Sequence, residues 1–321
     1  MRRLMLVLAA ASLVLGAGVA VGGTPSPDNP AGAGSDILGV VPTQAGAKAQ
    51  AAKAGGGGNL VYHGGKILTT NKTVTIFWLP TGSTAAPGYV SMINQYFADV
   101  AAASGHTDNV YGVETQYTDS TGAHIQYASA VGGSATDFSA YPASGCSDTV
   151  AATTVCLSDG QIKAEVQKVI GSGAVGAADA NTTYFVFTAK NVGSCYASGS
   201  CAFSSYCAYH SNVSVNGTTV QYANQPYTET VPSACDAGYH PNGSGTDADA
   251  TINVASHEHR ESINDPLGTA WYDRRGYEGS DKCAWNFGAL TGPDYNQTIN
   301  GHHYALQQEW SNARSGCALH S

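Results

Sequence analysis

The sequence predicts an α/β (α+β) fold, a mixed sheet with helices packed against it, and three observations carry that reading. Between residues 61 and 264, short β-rich runs alternate with segments whose apolar residues recur at helical spacing, as in a layered sheet-and-helix domain. Only 12% of the 321 residues are Asp, Glu, Lys or Arg, while 39 Gly and 18 Tyr are present. An average chain carries about 25% charged residues, so neither a coiled coil nor a charged disordered tail fits. Eight cysteines, all between residues 146 and 317, form an even set that predicts a single disulfide-stapled domain.

Along the chain, Met1-Arg2-Arg3 and the apolar run from Leu4 to Val21, with Gly18 and Ala20 before a cleavage point, read as a secretory signal peptide over residues 1–20. Residues 21–58 are Ala-, Gly- and Pro-rich and read as a flexible linker or a cleaved propeptide, leaving 59–321 as the folded domain. Val61–Leu68 and Thr73–Leu79 read as a hairpin across Thr69–Lys72. Tyr89–Ala103 carries a helical apolar stripe that stops at Gly105. Tyr111–Val131 alternates like a strand. Asp159–Ile170 reads as a capped amphipathic helix, Thr182–Thr188 as a buried central strand, and Thr218–Ala223, after the Asn216-Gly217 turn, as a shorter edge strand.

The cysteines show no CxxC spacing, which argues against thiolate metal ligation. Local spacing gives Cys146 to Cys156, Cys195 to Cys201, Cys207 to Cys235 and Cys283 to Cys317. The net charge is −9, from 14 basic and 23 acidic residues, without a basic stripe, so nucleic-acid binding is disfavoured. No later segment is apolar enough to span a membrane, and the expected product is a secreted, extracellular monomer acting on a peptide or cell-wall substrate.

Chemistry concentrates in TDADATINVASHEHRESINDP, expected as a helix opened by Asp247 or Asp249 and ended before Pro266. His257 and Glu261 stand four apart and project from one face, as two metal ligands must. Glu258 sits about 100° round the axis, where it can act as general base on a water activated by the metal. With ten His and seven Glu, chance predicts about 0.005 occurrences of HExxE, and six of the 23 acids lie between residues 257 and 281. The expected cofactor is zinc, held by His257, Glu261 and Glu278, with Asp281 as the alternative ligand or the group that orients one. His259 faces away from His257. Asp265 is expected to brace the loop that follows the helix. His210 and Tyr272 are candidates for stabilising the reacting oxygen, against blander roles for both. The phosphate-binding glycine loop and the GxSxG elbow are absent.

The runs SHEHRESINDP, WYD and GYEGSDKCAW, with YHGGKIL near residue 62, CAYHS at 207–211 and QEWSN before Cys317, resemble secreted bacterial relatives of the EXORDIUM and phosphate-induced protein family across most of 59–321. The resemblance implies an extracellular, cell-wall-associated protein. Plant members generally lack the HExxE residues, so the metal reading rests on His257, Glu258 and Glu261 themselves. The order of elements is also similar to zinc peptidases of the zincin type, which implies a zincin-like domain that hydrolyses peptide bonds. The non-catalytic alternative is a module that binds wall polymer or a protein partner.

Overall fold

The computed structural model describes residues 37–53 and 57–321, so the signal peptide over 1–20 and the linker over 21–36 and 54–56 lie outside the described residues. A six-stranded mixed sheet forms the centre. Its strands, numbered in chain order, are β1 (Ile37–Pro42), β2 (Asn71–Trp78), β3 (Ser129–Asp137), β4 (Thr182–Thr188), β5 (Tyr206–Val215) and β6 (Thr218–Gln225). They lie in the order β1-β5-β6-β4-β2-β3. The last four run parallel, β5 is antiparallel to β6, and β1 is antiparallel to β5.

Both faces of this sheet are covered, so β4 is apolar at consecutive positions rather than alternate ones. Tyr184 and Val186 pack with Val74, Ile76 and Trp78 against helix α3 (Asp159–Gly171), through its Ile162, Val166 and Ile170. Phe185, Phe187 and Phe77 face the other way, onto helices α2 (Tyr89–Ala102) and α4 (Asp249–Asn264). The start of α3 follows from Ser158, which accepts from the Gln161 N–H while the Gln161 side chain accepts from the Ser158 N–H.

Several expectations change. Residues 61–79 form no hairpin: Val61–Tyr62 pairs with Trp271–Tyr272, and β2 lies between β3 and β4, because Leu68 N–H donates to Ile263 O and ties this stretch to the end of α4. Tyr111–Val131 is not one strand. Val110–Gln116 is a 3-10 helix started by Asn109, whose side chain accepts from Tyr111 N–H, and strand begins only at Ser129. The strand after the Asn216-Gly217 turn is interior, since β5 lies between it and the edge. Asp247 does not cap α4. It takes positive φ and pairs with Lys190, while Ala248 is the N-cap and Asp249, in the first turn, accepts from Asn242.

The largest correction concerns the linker. Ile37–Pro42 is the edge strand β1, with Ile37, Val40 and Val41 in the core, and Gln44–Lys53 is a helix, α1. Low-complexity flanks hide a six-residue apolar run whose order comes from pairing with β5 rather than from its own composition.

All eight cysteines pair, in the four local combinations that spacing suggests. No helix among the described residues is long and apolar enough to cross a membrane. Four disulfides are consistent with an extracellular protein.

Candidate metal centre

Three elements deliver the candidate residues. Helix α4 supplies His257, Glu258 and Glu261, all fully buried. Strand β5 supplies His210, three residues beyond the Cys207–Cys235 bridge. The loop after α4 supplies Glu278 and Asp281, the latter beginning a 3-10 turn that ends at Cys283 and is tied to the C-terminal strand by the bridge to Cys317.

His257 Nε2 lies 3.0 Å from Glu261 Oε1 and 3.6 Å from Asp281 Oδ1, and the three donors fall within 4.8 Å of one another. Two ligands about 2.1 Å from a tetrahedral ion sit about 3.4 Å apart, so this spacing suits a single divalent cation. A second triad shares Glu261. His210 Nδ1 is 3.0 Å from Glu258 Oε2 and 3.6 Å from Glu261 Oε2, and His210 Nε2 is 3.9 Å from Glu278 Oε2.

The chemistry of this donor set favours a cation. His257 Nε2, His210 Nε2, Glu261 Oε2 and both Glu278 carboxylate oxygens are buried without a hydrogen-bond partner. Backbone N–H of Trp285 donates to Gln307 Oε1, which fixes that oxygen as the acceptor facing His257 Nδ1 at 3.2 Å and turns Nε2 toward the carboxylates. Five buried carboxylates, Glu258, Glu261, Asp265, Glu278 and Asp281, surround two imidazoles. The nearby cations are engaged elsewhere, Arg260 with Glu309 at 2.8 Å and Lys282 with Asp273 at 2.8 Å.

Burial pushes the Glu258 and Glu261 carboxyls up to about 8 and Asp265 up to about 6. Burial, then the charges of Glu261, Asp265 and Asp281, pushes Glu278 well above the carboxylate range. Burial pulls His210 down. It acts the same way on His257, but Glu261 and Asp281 override it and hold that ring well above its ordinary value. The field that retains a proton on His257 in the metal-free protein is the field a divalent ion would neutralise.

The remaining candidates make other contacts. Tyr272, expected as a possible catalytic group, stacks on His63 with ring centroids 3.6 Å apart, because its short strand pairs with Val61–Tyr62. Asp265 Oδ1 accepts from Thr269 and Ala270 N–H and braces the loop. His259 points into the opposite core, facing Tyr111 Oη at 2.9 Å and Asn71 Oδ1 at 3.1 Å. His259→Leu is therefore expected to strand Asn71 Oδ1, while Tyr111 Oη keeps Tyr96 Oη at 2.7 Å, and to cost about 1–3 kcal/mol in urea denaturation, with metal content unchanged. The Cys283→Ser/Cys317→Ser pair, which opens a loop with a sequence separation of 34, is expected to lower stability by about 3–4 kcal/mol in the same assay and to weaken metal retention, because Asp281 begins the tethered turn.

Sequence reasoning missed Gln307 and Gly39. Gln307, one of two adjacent glutamines 50 residues after His257, carries no signal. Gly39 does carry one, since an isolated glycine inside an apolar run marks close backbone approach. A Cβ on Gly39 would meet Glu278 Oε2, Glu261 Oε2 and His210 Cε1, and Val41 N–H donates to Glu258 Oε1 at 3.0 Å. Strand β1 thus lies across the cluster.

Compared with protein-family models, curated proteins and solved structures, the chain matches none.

Proposed function

We propose that this chain is an exported zinc-dependent peptidase of zincin-like architecture, with His257, Glu261 and Asp281 as metal ligands and Glu278 beside them. The observation that carries the reading is that buried His257 Nε2, which has no hydrogen-bond partner, lies 3.0 Å from Glu261 Oε1 and 3.6 Å from Asp281 Oδ1, with Glu258 next in sequence on the same helix. Zinc bound there would polarise a scissile carbonyl and make water acidic enough to deprotonate near neutral pH. Glu258 takes a proton from the attacking water and passes it to the leaving amine as the C–N bond breaks. His210, 3.0 Å from Glu258 Oε2, orients that carboxylate. Glu278 supplies a further carboxylate whose oxygens have no other partner.

The second reading, a non-catalytic extracellular module of the EXORDIUM kind that binds wall polymer or a protein partner around a structural metal, is favoured by the closure of the cluster beneath β1. Elemental analysis after zinc loading, followed by casein hydrolysis, tests both. The peptidase reading expects about one zinc per chain and hydrolysis that Glu261→Ala abolishes. Zinc without hydrolysis favours the module, and a chain that takes up no metal overturns both metal readings.

A further inference from the structure

We propose that the edge of β5 is a binding track for extended peptides carrying glycine opposite His210, and that Ile37–Pro42 is such a peptide held in cis. This deepens the peptidase reading by naming the substrate strand, and rests on it only for the claim that the bound strand is cut.

The register places the track. Gly39 pairs with His210, Val40 with Tyr209 and Val41 with Ala208, antiparallel, with an irregularity between Ile37 and Gly39. Without β1, the β5 backbone edge would be unpaired, the template on which a peptide adds as a strand. Selectivity follows from space: a Cβ at residue 39 would come within 2.4 Å of Glu261 Oε2, 2.4 Å of Glu278 Oε2 and 2.6 Å of His210 Cε1. Only glycine brings backbone that close to the cluster. On either side, buried Ile37, Val40 and Val41 enter the core, so the track takes apolar residues flanking that glycine.

The cis strand also slows chemistry while it is seated. Val41 N–H donates to Glu258 Oε1 and His210 Nδ1 faces Oε2, so both oxygens of the proposed base are engaged. Beside the cluster, a cavity of about 170 Å³ reaches Asp281 and is walled by Ala47 and Gln50 of α1 and by Trp310. Departure of residues 37–53 would therefore uncover the β5 edge, the base and this cavity together. Pro42, with no N–H to donate, ends the pairing.

The test uses the full chain with metal chelated, so hydrolysis plays no part, and a fluorescent synthetic peptide, Ile-Leu-Gly-Val-Val-Pro with lysines appended, read by anisotropy. Wild type should bind it weakly, since the tethered strand competes at an effective concentration of roughly millimolar. Gly39→Val should eject β1 and bind the peptide at least tenfold tighter, and a peptide with valine in place of glycine should lose that gain. Val41→Pro, which removes the N–H donated to Glu258 but keeps Gly39, should behave like Gly39→Val. Near-UV circular dichroism reports folding of both. Folded variants that bind no tighter than wild type, or equal binding of the valine peptide, overturn the proposal. If neither variant folds, hydrogen exchange of wild type decides: amides of 37–41 should exchange faster than those of β4, and equal protection overturns it. Peptide binding without hydrolysis on restoring zinc removes the peptidase reading and leaves the track, while casein hydrolysis without peptide binding does the reverse.

Discussion

Glu258→Gln is expected to lower casein hydrolysis by about 10³-fold, within the 10²–10⁴ that a positioned general base contributes, while leaving zinc content near one per chain. The substitution conserves volume, so the packing around this fully buried residue is kept. The amide oxygen can still accept from Val41 N–H, and what is lost is the capacity to take a proton. Metal analysis alongside the rate assay separates two roles. The triad of His210, Glu258 and Glu261 is a second set of donors within 4.8 Å. If Glu258 were a ligand rather than the base, the variant would lose zinc along with activity. Hydrolysis within threefold of wild type would remove Glu258 from the mechanism.

Stripping the metal is expected to lower the Tm by about 5–10 °C, restored by zinc. Five carboxyl groups buried around two imidazoles, with Arg260 and Lys282 committed to Glu309 and Asp273, have no other cation, and a divalent ion would displace the protons that burial holds on them. At a free zinc concentration 100 times Kd, binding to the folded state contributes about 2.7 kcal/mol. At about 2–4 °C per kcal/mol for large domains, that gives the shift stated. Glu261→Ala removes the residue shared by both triads, so its Tm should not respond to chelator or to zinc. A wild-type Tm that does not respond to chelation would mean the carboxylates carry protons instead, and the metal reading would fall.

The parts of this architecture that were legible in the sequence are those specified locally. Helix α2 announces itself by its apolar stripe, α3 by the Ser158–Gln161 box, and β4 by a run buried on both faces. The disulfides follow spacing because each joins neighbouring turns or strands. The His257–Glu261 pairing follows from helical geometry alone. What escaped depends mostly on partners distant in sequence. Strand β1 takes its register from residues about 170 positions later. The 3-10 turn at 110–116 reads as alternation because Val110, Tyr111 and Val113 are apolar, yet Asn109 closes the turn from its side chain. Nothing local separates Glu278 from Asp281 as the partner of His257. Only the fold of the loop brings Asp281 Oδ1 to 3.6 Å from Nε2.

Helix α4 is enclosed on every side, from Asp249 to Asn264, although most of its residues are polar. A saturation mutational scan through it should therefore show an unbroken block of intolerance, with no tolerant position recurring every third or fourth residue. Evolution has no outward stripe here on which to drift, and a designer who wishes to retune the chemistry must rebuild the surroundings of the rod as well as the rod.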